Sequence, residues 1–176
     1  MRNTPLRLRV LSAATALALI SSCSLPALAG QYYLEDGDIT VVAGEDGNDV
    51  TQNDKTTKND KDTTISNRNP DKSTENTVTI RADGDKTADV KLKDTNIKAD
   101  DSSAVRSEGT GTVRIELDGT NKLEGGDASK NDGDGYAGLE KKDAVNGGAG
   151  RDKDGTLIIK DEDNNGSLTA IGTGNS

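Results

Sequence analysis

The chain has no histidine, phenylalanine or tryptophan, one cysteine, three prolines and three tyrosines in 176 residues. Each shortage removes a class of function. Without histidine there is no imidazole to act as a general base, to complete a nucleophilic triad or to ligate zinc. With Cys23 alone there is no internal disulfide. Tyr32, Tyr33 and Tyr136 are the only aromatics, so any core has to be built from aliphatic side chains and has to be thin.

Acid is what the chain has in excess. Lys and Arg number 22 against 31 Asp and Glu, a net charge of −9. A strongly acidic surface repels phosphate, which argues against nucleic acid and against electrostatic binding to anionic lipid. It is compatible with cations and with neutral glycans.

The one strongly basic segment is the first. Arg2, Arg7 and Arg9 precede an apolar run from Val10 to Ile20, followed by Pro26-Ala27-Leu28-Ala29 and Gly30. The run is too short to cross a bilayer, which takes roughly 20 apolar residues. Small residues at Ala27 and Ala29 match the A-x-A rule for a secretory signal cleaved before Gly30. Ile20-Ser21-Ser22-Cys23 offers a second reading, a lipobox whose Cys23 would anchor a lipoprotein. Cleavage after Ala29 discards three of the 22 basic residues and none of the 31 acidic ones, so the net charge falls to −12. No transmembrane segment is expected beyond Ala29.

After Gly30 the signature is β. Apolar residues alternate with polar ones at Ile39/Val41, Val78/Ile80, Val90/Leu92, Val113/Ile115/Leu117 and Leu157/Ile159, the period of a half-buried strand. Asp118-Gly119, Gly125-Gly126, Gly147-Gly148 and Asn165-Gly166 punctuate the chain as turns. Glu45 to Lys72 has only Val50 and Ile65 as apolar punctuation, and reads as a long solvated excursion or as two weakly packed strands.

A soft repeat runs through these strands. Val90 to Ile97 aligns with Ile115 to Leu123, and Leu157 to Leu168 is a looser third copy. About 25 residues between the first two copies suits one coil of a solenoid. The expected fold is all-β, a parallel β-helix or β-solenoid over residues 76–176, with polar insertions at 127–135 and 143–155. Residues 30–75 are expected to carry N-terminal strands and a polar segment with a tendency to disorder. In such a stack Asn96 and Asn121 would occupy equivalent turns and form an amide ladder; turn preference alone also explains both. No polar cap follows Ile171, and a truncated version of a longer protein is expected.

Several segments together resemble a known group. Gln31-Tyr32-Tyr33-Leu34-Glu35-Asp36-Gly37-Asp38-Ile39-Thr40-Val41, Asn76 to Ile80, Leu92 to Ile97, Ile115 to Asn121 and Gly166 to Ala170 resemble secreted surface proteins of anaerobic Gram-positive gut bacteria. The resemblance covers most of the chain after the signal. It implies a right-handed parallel β-helix of carbohydrate-binding or adhesin type, and brings no catalytic set with it.

Three places invite chemistry. Asp161-x-Asp163-x-Asn165-Gly166 matches the first half of a calcium-binding EF-hand loop, but Gly172 stands where a bidentate Glu is required. An acidic turn between strands is the plain alternative. Gly147-Gly148-x-Gly150-x-Asp152 is a single copy of a calcium nonapeptide that works only in tandem, and Asp127, Asp132 and Asp134 form an acidic loop. Tyr136, between Gly135 and Gly138, could stack on a sugar ring or cover the end of an aliphatic column. The function expected is a non-catalytic module at the cell surface or secreted, binding polysaccharide or host glycan. A structural spacer or fragment without a ligand, and a calcium-dependent polysaccharide lyase, are the alternatives. The sequence leaves the ligand and the oligomeric state open.

Overall fold

The computed structural model describes residues 30–127, 135–142 and 155–174. It is all-β. Among the described residues thirteen strands follow one another: β1 Gln31–Tyr33, β2 Ile39–Ala43, β3 Asn48–Gln52, β4 Lys55–Asp60, β5 Thr63–Ser66, β6 Val78–Arg81, β7 Thr87–Lys93, β8 Asn96–Lys98, β9 Val105–Glu108, β10 Thr112–Glu124, β11 Leu139–Lys141, β12 Thr156–Lys160 and β13 Gly166–Ile171. One 3-10 turn, Leu34–Asp36, joins β1 to β2. Among the described residues no helix is long and apolar enough to cross a membrane.

Two sheets share these strands. One runs β1-β5-β7-β10-β12, with β8 and β13 flanking the second half of β10; the other runs β11-β9-β6-β2-β3-β4. Pairing is parallel except where β3 reverses against β2 and β4 against β3. The chain therefore passes from sheet to sheet, and each return lays a strand beside an earlier one in the same direction.

Most of the alternating residues of the sequence become inward columns; on β12, the last strand of the first sheet, Leu157 is half-buried and Ile159 is 44% exposed. Thr63, Val90, Ile115 and Ile159 are register partners across the first sheet, as are Ala88, Val113 and Leu157. Ile39, Val78, Val105 and Leu139 do the same in the second. Val90, Ile115, Ile39, Val78 and Val105 are all buried. The fully buried large side chains are leucine, isoleucine and valine throughout, as the lack of aromatics requires. Each contributes about 1.5–3 kcal/mol on burial.

The outward residues explain the high charge. Lys93 and Asp118, Lys98 and Glu124, Arg106 and Glu140, Lys160 and Glu116, and Arg114 and Asp89 are all register partners on adjacent strands. They approach to 2.9, 2.7, 2.9, 3.4 and 3.5 Å respectively. Exposed pairs add little stability. Opposite charges facing each other do favour this register over one that juxtaposes like charges.

Two expectations change. Glu45 to Lys72 contains three strands, β3 to β5, and both its apolar residues, Val50 and Ile65, are fully buried. The division at 75/76 is not a structural boundary, because Ile39 pairs with Val78 and Thr63 with Val90 across it. The insertion cores 128–134 and 143–154, the glycine-rich nonapeptide, Asp132 and Asp134 lie outside the described residues.

Candidate functional site

The acidic turn expected to hold calcium joins β12 to β13, so strands flank it where an EF-hand has helices. Its residues satisfy one another. Asp161 Oδ1 accepts the Asn165 backbone N–H at 3.0 Å, and Asn165 Nδ2 donates to Asp163 Oδ2 at 2.7 Å. Asn165 thus turns its amide NH2 inward, where a cation needs an oxygen. The third carboxylate comes from a neighbouring strand: oxygens of Glu116, Asp161 and Asp163 lie within 4.8 Å of one another.

A cation is already present in that cluster. Lys160 Nζ lies 3.4 Å from Glu116 Oε2 and 2.5 Å from Glu162 Oε1. The Glu162 hydrogen bond is the main reason the Lys160 ammonium is held above the ordinary lysine range. Glu116 Oε1 accepts the Glu162 N–H at 2.8 Å, while Glu116 Oε2 is buried without a hydrogen bond. Lys160 thus already offsets part of the negative charge that a metal ion at these three carboxylates would neutralise.

Asn96 and Asn121 are not register partners. Asn96 faces Lys122, because the chain from Asp118 to Lys122 is one residue longer than that from Lys93 to Asn96. The expected ladder is therefore replaced by two separate amide clamps. Asn121 is fully buried. Its Oδ1 accepts from Thr95 N at 3.1 Å and Thr95 Oγ1 at 2.8 Å, and its Nδ2 donates to the carbonyls of Asp118 and Ser167 at 3.1 and 3.2 Å. Asn67 Oδ1 accepts the Asn96 N–H at 2.8 Å, and the Asn96 side chain donates to Pro70 O.

Tyr136 is half-buried between β10 and β11. Its N–H donates to Gly126 O at 3.4 Å and its carbonyl accepts from Thr173 N at 3.0 Å.

A better-formed groove lies at the other end of the molecule, and it had no motif. An open groove of about 420 Å³ is lined by Gln31 and Tyr33 of β1, Ser66 of β5, Asn67, Arg68 and Pro70 of the following turn, and Lys93 and Asp94 at the end of β7. The Arg68 guanidinium sits 4.3 Å from the Tyr33 ring centroid, a cation–π contact. Asp36 fixes that guanidinium through two bonds of 2.7 and 2.6 Å. Those bonds hold the Asp36 carboxyl below its usual range. Burial works against ionisation of Glu35, but the N–H groups of Arg68 and Asn69 outweigh it and leave the carboxyl lowered. Gln31 Nε2 donates to Ser66 Oγ at 2.9 Å. The result is a rigid aromatic wall beside amide, hydroxyl and charged groups. The adjacent pair Tyr32-Tyr33, two of the three aromatics in the chain, was the signal available in the sequence.

A scan against protein-family models and searches of curated proteins and of solved structures return no match.

Proposed function

We propose that the chain is an exported, non-catalytic surface module that binds polysaccharide or host glycan, and that its parallel strands are the successive coils of a β-helix. The Tyr33–Arg68 groove carries this reading. Sugar rings are recognised by an apolar C–H face laid on an aromatic or guanidinium plane, with hydroxyls bonded to amides and charged side chains at the rim, and the groove offers both. The β-helix reading is supported by the parallel registers and by the passage of the chain between sheets at each return. Export rests on the basic, apolar and Ala27/Ala29 pattern of residues 1–29.

Glycan-array binding of the purified chain, with and without calcium, tests the function. Binding is expected to be independent of calcium and to fall at least tenfold in Tyr33→Ala. Loss in Tyr136→Ala with Tyr33→Ala unaffected would move the site to the other end of the molecule. No binding by any of the three chains would reject the proposal.

A spacer without a ligand is the second reading. It is favoured by the outward charges, so many of which are consumed in pairs between neighbouring strands.

A further inference from the structure

Asp60 is a buried carboxylate, 1% exposed, at the end of β4. Four donors surround it: Gly30 N at 3.0 Å, Tyr32 OH at 2.9 Å, Asp62 N at 3.1 Å and Thr63 Oγ1 at 3.1 Å. Among the described residues no lysine or arginine forms an ion pair with it. Its charged neighbours in the chain, Lys61 and Asp62, are exposed. A carboxylate removed from water is costly to keep ionised without a cation.

One of the four donors can become a cation. Residue 30 is packed closely: a Cβ there would overlap Asp60 Oδ2 and the Tyr32 ring unless those side chains shifted. That glycine also follows the A-x-A sequence at which the signal is expected to be cut. Hydrolysis of the Ala29–Gly30 bond adds water across it. The carbonyl of Ala29 becomes a carboxylate, and the Gly30 nitrogen leaves as an amine that takes up a proton. An α-amine has a pKa of about 7.7–8.0 before any stabilisation, and a carboxylate 3.0 Å away favours its protonated form.

We propose that signal cleavage creates the counter-ion of Asp60: the new α-ammonium of Gly30 forms a buried ion pair with that carboxylate and fastens β1 to the stack. The pair is absent from the precursor, where the same nitrogen is a neutral peptide N–H. It works alongside the bond from Thr64 N to Gly30 O at 2.9 Å, which already continues the β1–β5 register to residue 30. Processing thus raises stability only after export. The inference rests on the export reading.

The test compares three chains in urea: one starting with a free Gly30 amine, the same chain Nα-acetylated, and one retaining Ala29. The free amine is expected to raise the folding equilibrium constant on the order of tenfold, and this advantage should vanish in Asp60→Asn. Since Asp60→Asn could fail to fold, labelling of the α-amine by an N-terminus-selective aldehyde supplies a second readout. Labelling is expected to be at least tenfold slower in the native chain than in denaturant. Equal stability of the three chains, or equal labelling rates, would overturn the ion pair. N-terminal sequencing of the secreted protein separates the two premises: a start other than Gly30 overturns cleavage after Ala29 and the proposal with it. A Gly30 start without a gain in stability overturns the ion pair alone.

Discussion

Gly119 lies against the carboxylate of Asp94 in the bend between β7 and β8: a Cβ on residue 119 would overlap Asp94 Oδ1. The same carboxylate oxygen accepts the Thr120 N–H at 3.0 Å. Asp94, Gly119 and Asn164 all have positive φ, at 49°, 67° and 58°. Corresponding turns of three successive passages thus bend through the left-handed region.

Gly119→Ala should therefore suffer twice, from its φ and from the overlap. A loss of about 1–3 kcal/mol is expected. Gly84 has a similar φ of 63° but open space around it, so Gly84→Ala should lose about 1 kcal/mol or less. Urea melts of the two variants make the comparison. Equal losses would mean that Asp94 gives way freely.

Asn121→Ala removes a fully buried amide and strands the Thr95 donors and the carbonyls of Asp118 and Ser167. A cost of about 2–4 kcal/mol is expected. Asn96→Ala, whose amide reaches only the Pro70 carbonyl, should cost less than about 1 kcal/mol. Thermal or chemical denaturation ranks them, and the reverse order would refute the clamp.

Arg106 and Glu140 form an outward pair whose side chains are both less than a third exposed, at 27% and 31%. A double-mutant cycle with Arg106→Met and Glu140→Gln should give a coupling of about 0.5–1 kcal/mol that shrinks in salt. Burial alone would raise the Glu140 carboxyl, but bonds from Ser103 and Arg106 outweigh it and leave it lowered. The stability Glu140 contributes is thus complete above its unfolded value of 4.5 and is lost as pH falls through the lower native value. Acid melts of wild type and Glu140→Gln should converge at low pH.

Tyr32 behaves oppositely. Burial is the main cause that pushes it up to about 12 from 10.0; a hydrogen bond with Thr57 opposes it, and the Asp60 carboxylate that its OH bonds adds to the rise. Its contribution is complete below pH 10 and is lost as pH rises toward 12. Difference absorbance between wild type and Tyr32→Phe during an alkaline titration measures this directly. A midpoint near 10 would contradict the buried hydrogen bond.

Strand positions were legible because alternation is a property of single segments. Ile39/Val41, Val78/Ile80, Val90/Leu92 and Val113/Ile115/Leu117 all lie in strands and all are buried. Register was not legible, because similar Asp-Thr-Asn and Gly-Thr-Asn strings invite an alignment that an extra residue before Lys122 forbids. Strands β3 and β4 could be read only as one of two alternatives because their residues are mostly Asp, Lys, Asn and Thr, with Val50 as their single apolar side chain. The groove was out of reach for a further reason. Gln31 and Tyr33, Ser66 and Lys93 come from three strands that meet only once the register is fixed.

The reversal at β3 gives the molecule a polarity in time as well as in space. Chains leave the ribosome from the N-terminal end, and the antiparallel β2–β3–β4 unit can close from residues close together in sequence. It supplies a finished edge before β6 and the later strands emerge. Each of these then meets a partner already in place, about one passage earlier in the chain. Growth by addition to a standing edge avoids the simultaneous closure of many long loops, the slow step for parallel sheets, and favours folding that proceeds from the N-terminal end.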